Sequence, residues 1–148
     1  MPEEPVPAES PEGQAPEPES VPTGPVLGVF AHPDDAEISA GGVLRKWVLA
    51  GREVRLLVLT NGDRGSDDAK RDRAELAATR KQETQDAADV LGLKSVRVLD
   101  IHDGDLVNTK DVQAEVSLAV RQIRPETRSA PDPASGRRGD RDALGVVS

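Results

Sequence analysis

The strongest constraint in this chain is a change of rhythm repeated three times, from a short run rich in Val and Leu to a longer stretch with apolar residues at helical spacing. The runs are Val26 to Phe30, Val54 to Leu59 and Val96 to Ile101. They are mostly apolar on both alternate faces, the pattern of parallel strands covered on two sides. The helical stretches are Ala36 to Ala50, Arg71 to Leu91 and Lys110 to Arg124. Ala40, Leu44, Trp47 and Val48 share a face of the first; Leu76, Ala87, Val90 and Leu91 share one of the second. Val112, Val116, Ala119, Val120 and Ile123 do so on the third. Gly51 and Gly92 stand where helix C-caps are wanted. A β-α-β-α-β-α order means an α/β fold, a doubly wound and mostly parallel sheet.

Beyond Arg124 the rhythm stops. A fourth strand is due within a few residues, yet Pro125 to Pro133 offers no apolar run, and residues 134–148 are rich in Gly, Arg and Asp. The reading is a domain at 26–124 cut short after its third β-α unit, with an irregular tail at 125–148. Without a fourth strand the first would be an apolar, unpaired sheet edge, and self-association is the expected consequence. At the other end, residues 1–25 hold eight of the twelve prolines and six Glu with no Lys or Arg. Such a composition does not offset its ordering entropy, so this segment reads as a disordered acidic tail.

The tail also explains the charge. The chain carries 27 acidic and 19 basic residues, a net charge of −8, and without the tail the two signs nearly balance. An acidic balance argues against nucleic acid as a partner. No apolar stretch approaches the roughly 18 residues that span a bilayer, and the N-terminus is acidic where a signal peptide is basic; the expected setting is the cytoplasm, with no membrane partner. With no Cys, any metal must be held by nitrogen and oxygen.

Ligands of open α/β sheets sit beyond the carboxyl ends of the strands. The three loops there are Ala31-His32-Pro33-Asp34-Asp35-Ala36-Glu37, Thr60-Asn61-Gly62-Asp63-Arg64-Gly65 and Asp100-Ile101-His102-Asp103-Gly104-Asp105. Both histidines of the chain fall at this edge. His32 and Asp35, three positions apart in a turn stiffened by Pro33, can reach one cation, and imidazole with carboxylate suits zinc or a similar divalent ion. Asp34 is then free to take a proton from water acidified by that ion. The plain alternative is that Asp34 or Asp35 merely caps the following helix. On the second helix Arg80 and Glu83 interrupt an apolar stripe; either they pair at i,i+3, or Arg80 reaches the edge to meet a polar ligand. Gly41-Gly42 reads as a close approach of helix to sheet, and Trp47 as core.

In order and spacing these residues resemble the PIG-L/LmbE-like family of zinc-dependent N-deacetylases. The resemblance runs from about Val26 to Arg124 and rests on Ala31 to Glu37, Gly41-Gly42, Gly51, Thr60-Asn61-Gly62, Arg80-Lys81-Gln82-Glu83, Ala87-Ala88, Leu91-Gly92 and Asp103-Gly104. It implies a Rossmann-like fold and a zinc enzyme that removes an N-acetyl group, often from an N-acetylglucosamine conjugate. It also implies metal binding by His32 and Asp35, general base catalysis by Asp34, and substrate contacts from Arg80 and Asp103. One element is missing: the family draws its third metal ligand from a later His-x-x-His motif, and this chain has no histidine beyond His102. Gly139 to Gly145 resembles the surroundings of that motif without its histidines, with Asp140 and Asp142 as the oxygen donors nearby. Two other readings compete. In one, a receiver-like module holds magnesium on Asp34 and Asp35 and accepts phosphate on Asp100; in the other, the chain is a non-catalytic fragment that retains the fold.

Overall fold

The structure, a computed structural model, describes residues 21–131. The strands are β1 (Val26–Phe30), β2 (Val54–Thr60), β3 (Ser95–Ile101) and β4 (Thr127–Ser129); the helices are α1 (Asp35–Leu49), α2 (Arg73–Leu91) and α3 (Lys110–Ile123). All pairings are parallel, in the order β3-β2-β1-β4. Three strands and three helices thus stand where the apolar rhythm puts them.

Helices cover both faces of the sheet. On one, Val26, Phe30, Val54 and Leu56 pack against Ala36, Leu44 and Trp47 of α1. On the other, Leu27, Val29, Leu57, Leu59 and Leu99 meet Ala119, with Val112, Val116, Val120 and Ile123 of α3 around it. Phe30, Leu27, Leu44 and Leu57 are fully buried, each contributing about 1.5–3 kcal/mol by leaving water. The central strands β1 and β2 are buried almost throughout, whereas β3 alternates exposed and covered residues. That alternation departs from the expected two-sided burial because β3 is an edge.

The fourth strand corrects the expectation of a chain that becomes irregular at residue 125. Thr127, Arg128 and Ser129 pair with Val26, Leu27 and Gly28, and the Glu126 N–H donates to the Pro25 carbonyl at 2.8 Å. An edge strand is held by its backbone ladder and tolerates polar side chains, so no apolar run announces it. β1 is consequently covered as far as Gly28. The same contact reaches into the acidic segment: the Thr23 hydroxyl bonds the Glu126 carboxylate at 2.6 Å, and Arg52 donates to the Thr23 carbonyl at 2.9 Å. The rest of the expected acidic tail, and residues 132–148 with Asp140 and Asp142, lie outside the described residues.

Two helix faces also differ from the pattern. On α2 the buried residues are Leu76, Thr84 and Ala88, while Val90 is 79% exposed. Thr84 is buried without penalty because its hydroxyl donates to the Arg80 carbonyl at 2.8 Å. A Cβ at Gly41 or Gly42 would meet nothing within 4 Å, so the expected close approach there is not made. α1 seats on the sheet through Leu44 and Trp47 instead. The close approach belongs to Gly28, where a Cβ would lie 2.6 Å from Leu56 Cδ2 and 2.9 Å from Phe30 Cε2. Gly92 is the left-handed C-cap of α2, and Gly51 follows the α1 cap residue Ala50. Among the described residues no helix is long and apolar enough to cross a membrane.

Candidate active site

The turn after β1 is tied to the turn after β2 before any reactive group is placed. The Ala31 carbonyl accepts from the Thr60 N–H at 2.9 Å and from the Thr60 hydroxyl at 2.8 Å. From there the chain folds back: the Asp35 carboxylate accepts from the His32 N–H at 2.9 Å and lies 3.2 Å from His32 Nδ1. The other ring nitrogen, Nε2, is 3.3 Å from Asp103 Oδ1. His32 is thus held between carboxylates from two loops.

Asp34 sits at the N-cap position of α1, and its carbonyl accepts the Ile38 N–H at 3.0 Å. Its side chain makes no cap bond, and its backbone is left-handed, with φ 86° and ψ −21°. That conformation is uncommon outside Gly, although Asp tolerates it better than most residues. The capping alternative therefore fails for the Asp34 side chain. The carboxylate is 48% exposed and 4.0 Å from Arg80 Nη1. Partial burial is the main cause that raises its pKa above the usual aspartate value; Arg80 opposes this, and Asp35 adds to it. Glu37, one turn into α1, is likewise raised, chiefly by burial, with Asp34 and Asp35 adding to the effect.

Arg80 bridges two of the readings. Its Nη1 is 3.1 Å from Glu83 Oε2, so the helical pair exists, and the same guanidinium also reaches the sheet edge beside Asp34. Gly62, with φ 67°, lets the β2 turn pass under this group: a Cβ there would lie 3.0 Å from Pro33 Cγ. The result is a cleft of about 330 Å³ lined by His32, Asp34, Asp35, Gly62, Arg80 and Asp103. The five residues to which the family resemblance gives roles, His32, Asp34, Asp35, Arg80 and Asp103, all line this one space.

Beside it lies a centre that the sequence did not single out. Asp63 is only 3% exposed and accepts from three donors: Arg73 Nη2 at 2.7 Å, His102 Nδ1 at 2.7 Å and the Asp103 N–H at 3.0 Å. Burial opposes its charge, but the Asp103 N–H, His102 and Arg73 together hold its carboxyl below the usual range. Asn61-Gly62-Asp63 reads as an ordinary turn in sequence, and the signal that it is more lies in two loop acids meeting across one edge. A cavity of about 720 Å³ opens on this side, lined by Asn61, Asp63, Arg73, Lys81, Asp100 and His102 among others. Asp100, the receiver-type acceptor, lines this second space, while Asp34 and Asp35 line the first.

Whether the cleft suits a divalent metal is decided by its donors. Two ligand atoms about 2.0–2.2 Å from a tetrahedral zinc sit roughly 3.4 Å apart, and His32 Nδ1 and Asp35 Oδ2 are 3.2 Å apart. The pair fits as two corners of a coordination shell. Among the described residues no third His, Asp or Glu completes a metal-holding group with them.

The carboxyl edge of the parallel sheet thus gathers an imidazole, two adjacent carboxylates and an arginine around one cleft. The chain belongs to the PIG-L family: the family model described as PIG-L, GlcNAc-PI de-N-acetylase, matches residues 27–145. It is 37% identical over 108 residues to the diacetylchitobiose deacetylase of Thermococcus kodakarensis, covering 73% of this chain and 40% of that protein. It is 30% identical over 125 residues to the probable N-acetyl-alpha-D-glucosaminyl L-malate deacetylase 2 of Bacillus cereus, covering 81% and 57%. Among solved structures, the N,N'-diacetylchitobiose deacetylase from Pyrococcus horikoshii, complexed with its inhibitor MPG, superposes with a TM-score of 0.79 at 31% identity. That match covers 82% of this chain and 46% of the other. The chain thus spans about half of the length of these relatives, which are named as deacetylases of N-acetylated sugar compounds.

Proposed function

We propose that this chain carries the first half of a metal-dependent amide hydrolase site, one that removes an N-acetyl group from a small amino-sugar substrate such as an N-acetylglucosamine conjugate. The supporting observation is the division of labour in one turn: His32 and Asp35 present donors 3.2 Å apart, while Asp34 between them makes no cap bond. His32 and Asp35 would hold the ion, zinc by the chemistry of the donors. When bound, such an ion polarises the amide carbonyl and acidifies water.

Asp34 acts as the general base that takes the proton of the attacking water, and its raised pKa moves it toward the range where it can also return that proton to the leaving amine. Arg80, 28% exposed and anchored by Glu83, offers its remaining N–H groups to the sugar. Asp103 accepts from a sugar hydroxyl and, through its 3.3 Å approach to Nε2, also orients the His32 ring.

Zinc titration by calorimetry, with acetate release from N,N'-diacetylchitobiose as the companion assay, tests this. The wild-type chain takes up one zinc, and His32→Ala weakens that uptake at least about tenfold, as loss of a ligand demands. Identical uptake by the two proteins removes His32 from the site and overturns the assignment. The non-catalytic reading gains from the absence of a third donor among the described residues. Sugar binding without acetate release selects it.

A further inference from the structure

We propose that the 720 Å³ cavity on the Asp63 side of the sheet edge is a second ligand site, built to bind an oxyanion, a phosphate or carboxylate group on a small hydroxylated molecule. The deacetylation chemistry above uses none of its lining side chains. Asn61 is 8% exposed and lines this cavity. Its side-chain oxygen accepts the Asp63 N–H at 3.2 Å, and that bond does not use its amide N–H groups. They open instead onto the cavity that Asn61 lines, where a ligand oxygen can accept them.

The other donors are set by the same buried carboxylate. Because Asp63 is held ionised, His102 Nδ1 carries the proton it donates across 2.7 Å, which fixes the ring and leaves Nε2 as its uncommitted nitrogen. Arg73 gives Asp63 one N–H, from Nη2 at 2.7 Å, and with its side chain 50% exposed it keeps others for the cavity. Lys81, two turns further along α2, lines the same wall. Amide, guanidinium and ammonium thus converge on one space, with hydrogen bonds to an oxyanion, charge-assisted for the two cations, as their common function. His102 Nε2 is an acceptor in this lining, and so is the Asp100 carboxylate. That carboxylate repels a second negative group and suits a hydroxyl, so the ligand class is a hydroxylated molecule bearing a single phosphate or carboxylate group.

The chain as a whole is acidic, with a net charge of −8, which does not favour anion binding, so saturable binding is a discriminating result. The chain contains two histidines, one per site, and their ring resonances report the two spaces separately. Inorganic phosphate is titrated into the metal-free chain at constant ionic strength. The expected result is a saturable shift of the His102 ring with the His32 ring unmoved, and Lys81→Gln or Arg73→Gln weakening binding by roughly threefold to tenfold. Lys94→Gln, on the far side of the fold beside Glu53, leaves it unchanged. No saturable shift, an equal shift of both rings, or equal weakening by Lys94→Gln overturns the proposal. A parallel titration with N-acetylglucosamine 1-phosphate separates the sources. Tighter binding than phosphate, with both rings responding, makes the oxyanion a part of the sugar substrate; equal binding at His102 alone makes it a separate ligand. Neither readout involves turnover or metal, so the hydrolytic reading can fail without this one, and the reverse.

Discussion

Asp34 and Asp63 stand one strand apart on the same sheet edge, each in the loop that follows a buried strand, and their environments are opposite. Asp63 is 3% exposed and satisfied by a guanidinium, an imidazole and a backbone N–H, and these hold its pKa down against burial. Asp34 is half exposed, lacks a cap bond, sits in a left-handed conformation and has its pKa pushed up by burial and by Asp35. A carboxylate fully committed to donors is a structural bolt, whereas one left without close donors is open to the reactive role proposed above. Environments that drive two acids apart in pKa assign their roles.

The largest effect that can break this comparison is on turnover. Asp34→Asn keeps the shape of the turn and removes the proposed base, so acetate release falls by about 10²–10⁴-fold, the usual contribution of a positioned general base, while thermal stability does not fall. An active Asp34→Asn protein would place the base elsewhere. Next in size is the reverse experiment. Asp63→Ala strands the buried Asp103 N–H and releases the Arg73 and His102 side chains, and it lowers the unfolding free energy by about 1–3 kcal/mol in urea titrations. A loss near zero would mean the three donors are satisfied by water and that Asp63 is no bolt.

Much of this was legible beforehand, and the reasons differ by element. β1, β2 and the three helices stand out because burial on two faces writes itself as apolar runs and 3.6-residue spacing. β4 does not, since an edge strand three residues long is held by main-chain bonds that any side chain permits. Val90 was misassigned to the buried face of α2 because it is apolar, and Thr84 was overlooked because its buried hydroxyl finds the Arg80 carbonyl. Gly41 and Gly42 suggest packing by their size alone, yet no side chain approaches them. His32, Asp34, Asp35, Arg80 and Asp103, singled out because three of them fall within four positions and their spacing matches a family, line one cleft. The Asp63–His102 bond joins residues 39 positions apart, and no local pattern records a contact made only by topology.

The third effect is pH dependence, and its sign follows from the depressed pKa of Asp63. Just below the ordinary aspartate value of 3.8, the unfolded chain takes up a proton that the folded chain still refuses. The stability contributed by Asp63 is therefore complete above that value and is lost as pH falls through the lower folded value. Urea midpoints measured between about pH 2 and pH 5 should fall more steeply on acidification for the wild type than for Asp63→Asn. Parallel curves for the two proteins would mean that Asp63 has the same pKa folded and unfolded.

The smallest effect concerns the backbone of Asp34 and has the opposite sign to that of Asp63. At φ 86° a side-chain-bearing residue is strained by about 1 kcal/mol or more, and Gly relieves that strain while adding about 0.4–1 kcal/mol of unfolded-state freedom. Removing a carboxylate whose ionised form is disfavoured by burial adds to the gain. The balance leaves Asp34→Gly more stable than the wild type by about 0.5 kcal/mol, whereas Asp34→Ala, which keeps the strained angle, gains less. Urea unfolding of the three proteins side by side reads the order directly. If Asp34→Gly is instead the least stable, the carboxylate of Asp34 holds the turn together as Asp63 holds its own, and the contrast between a reactive and a structural acid disappears.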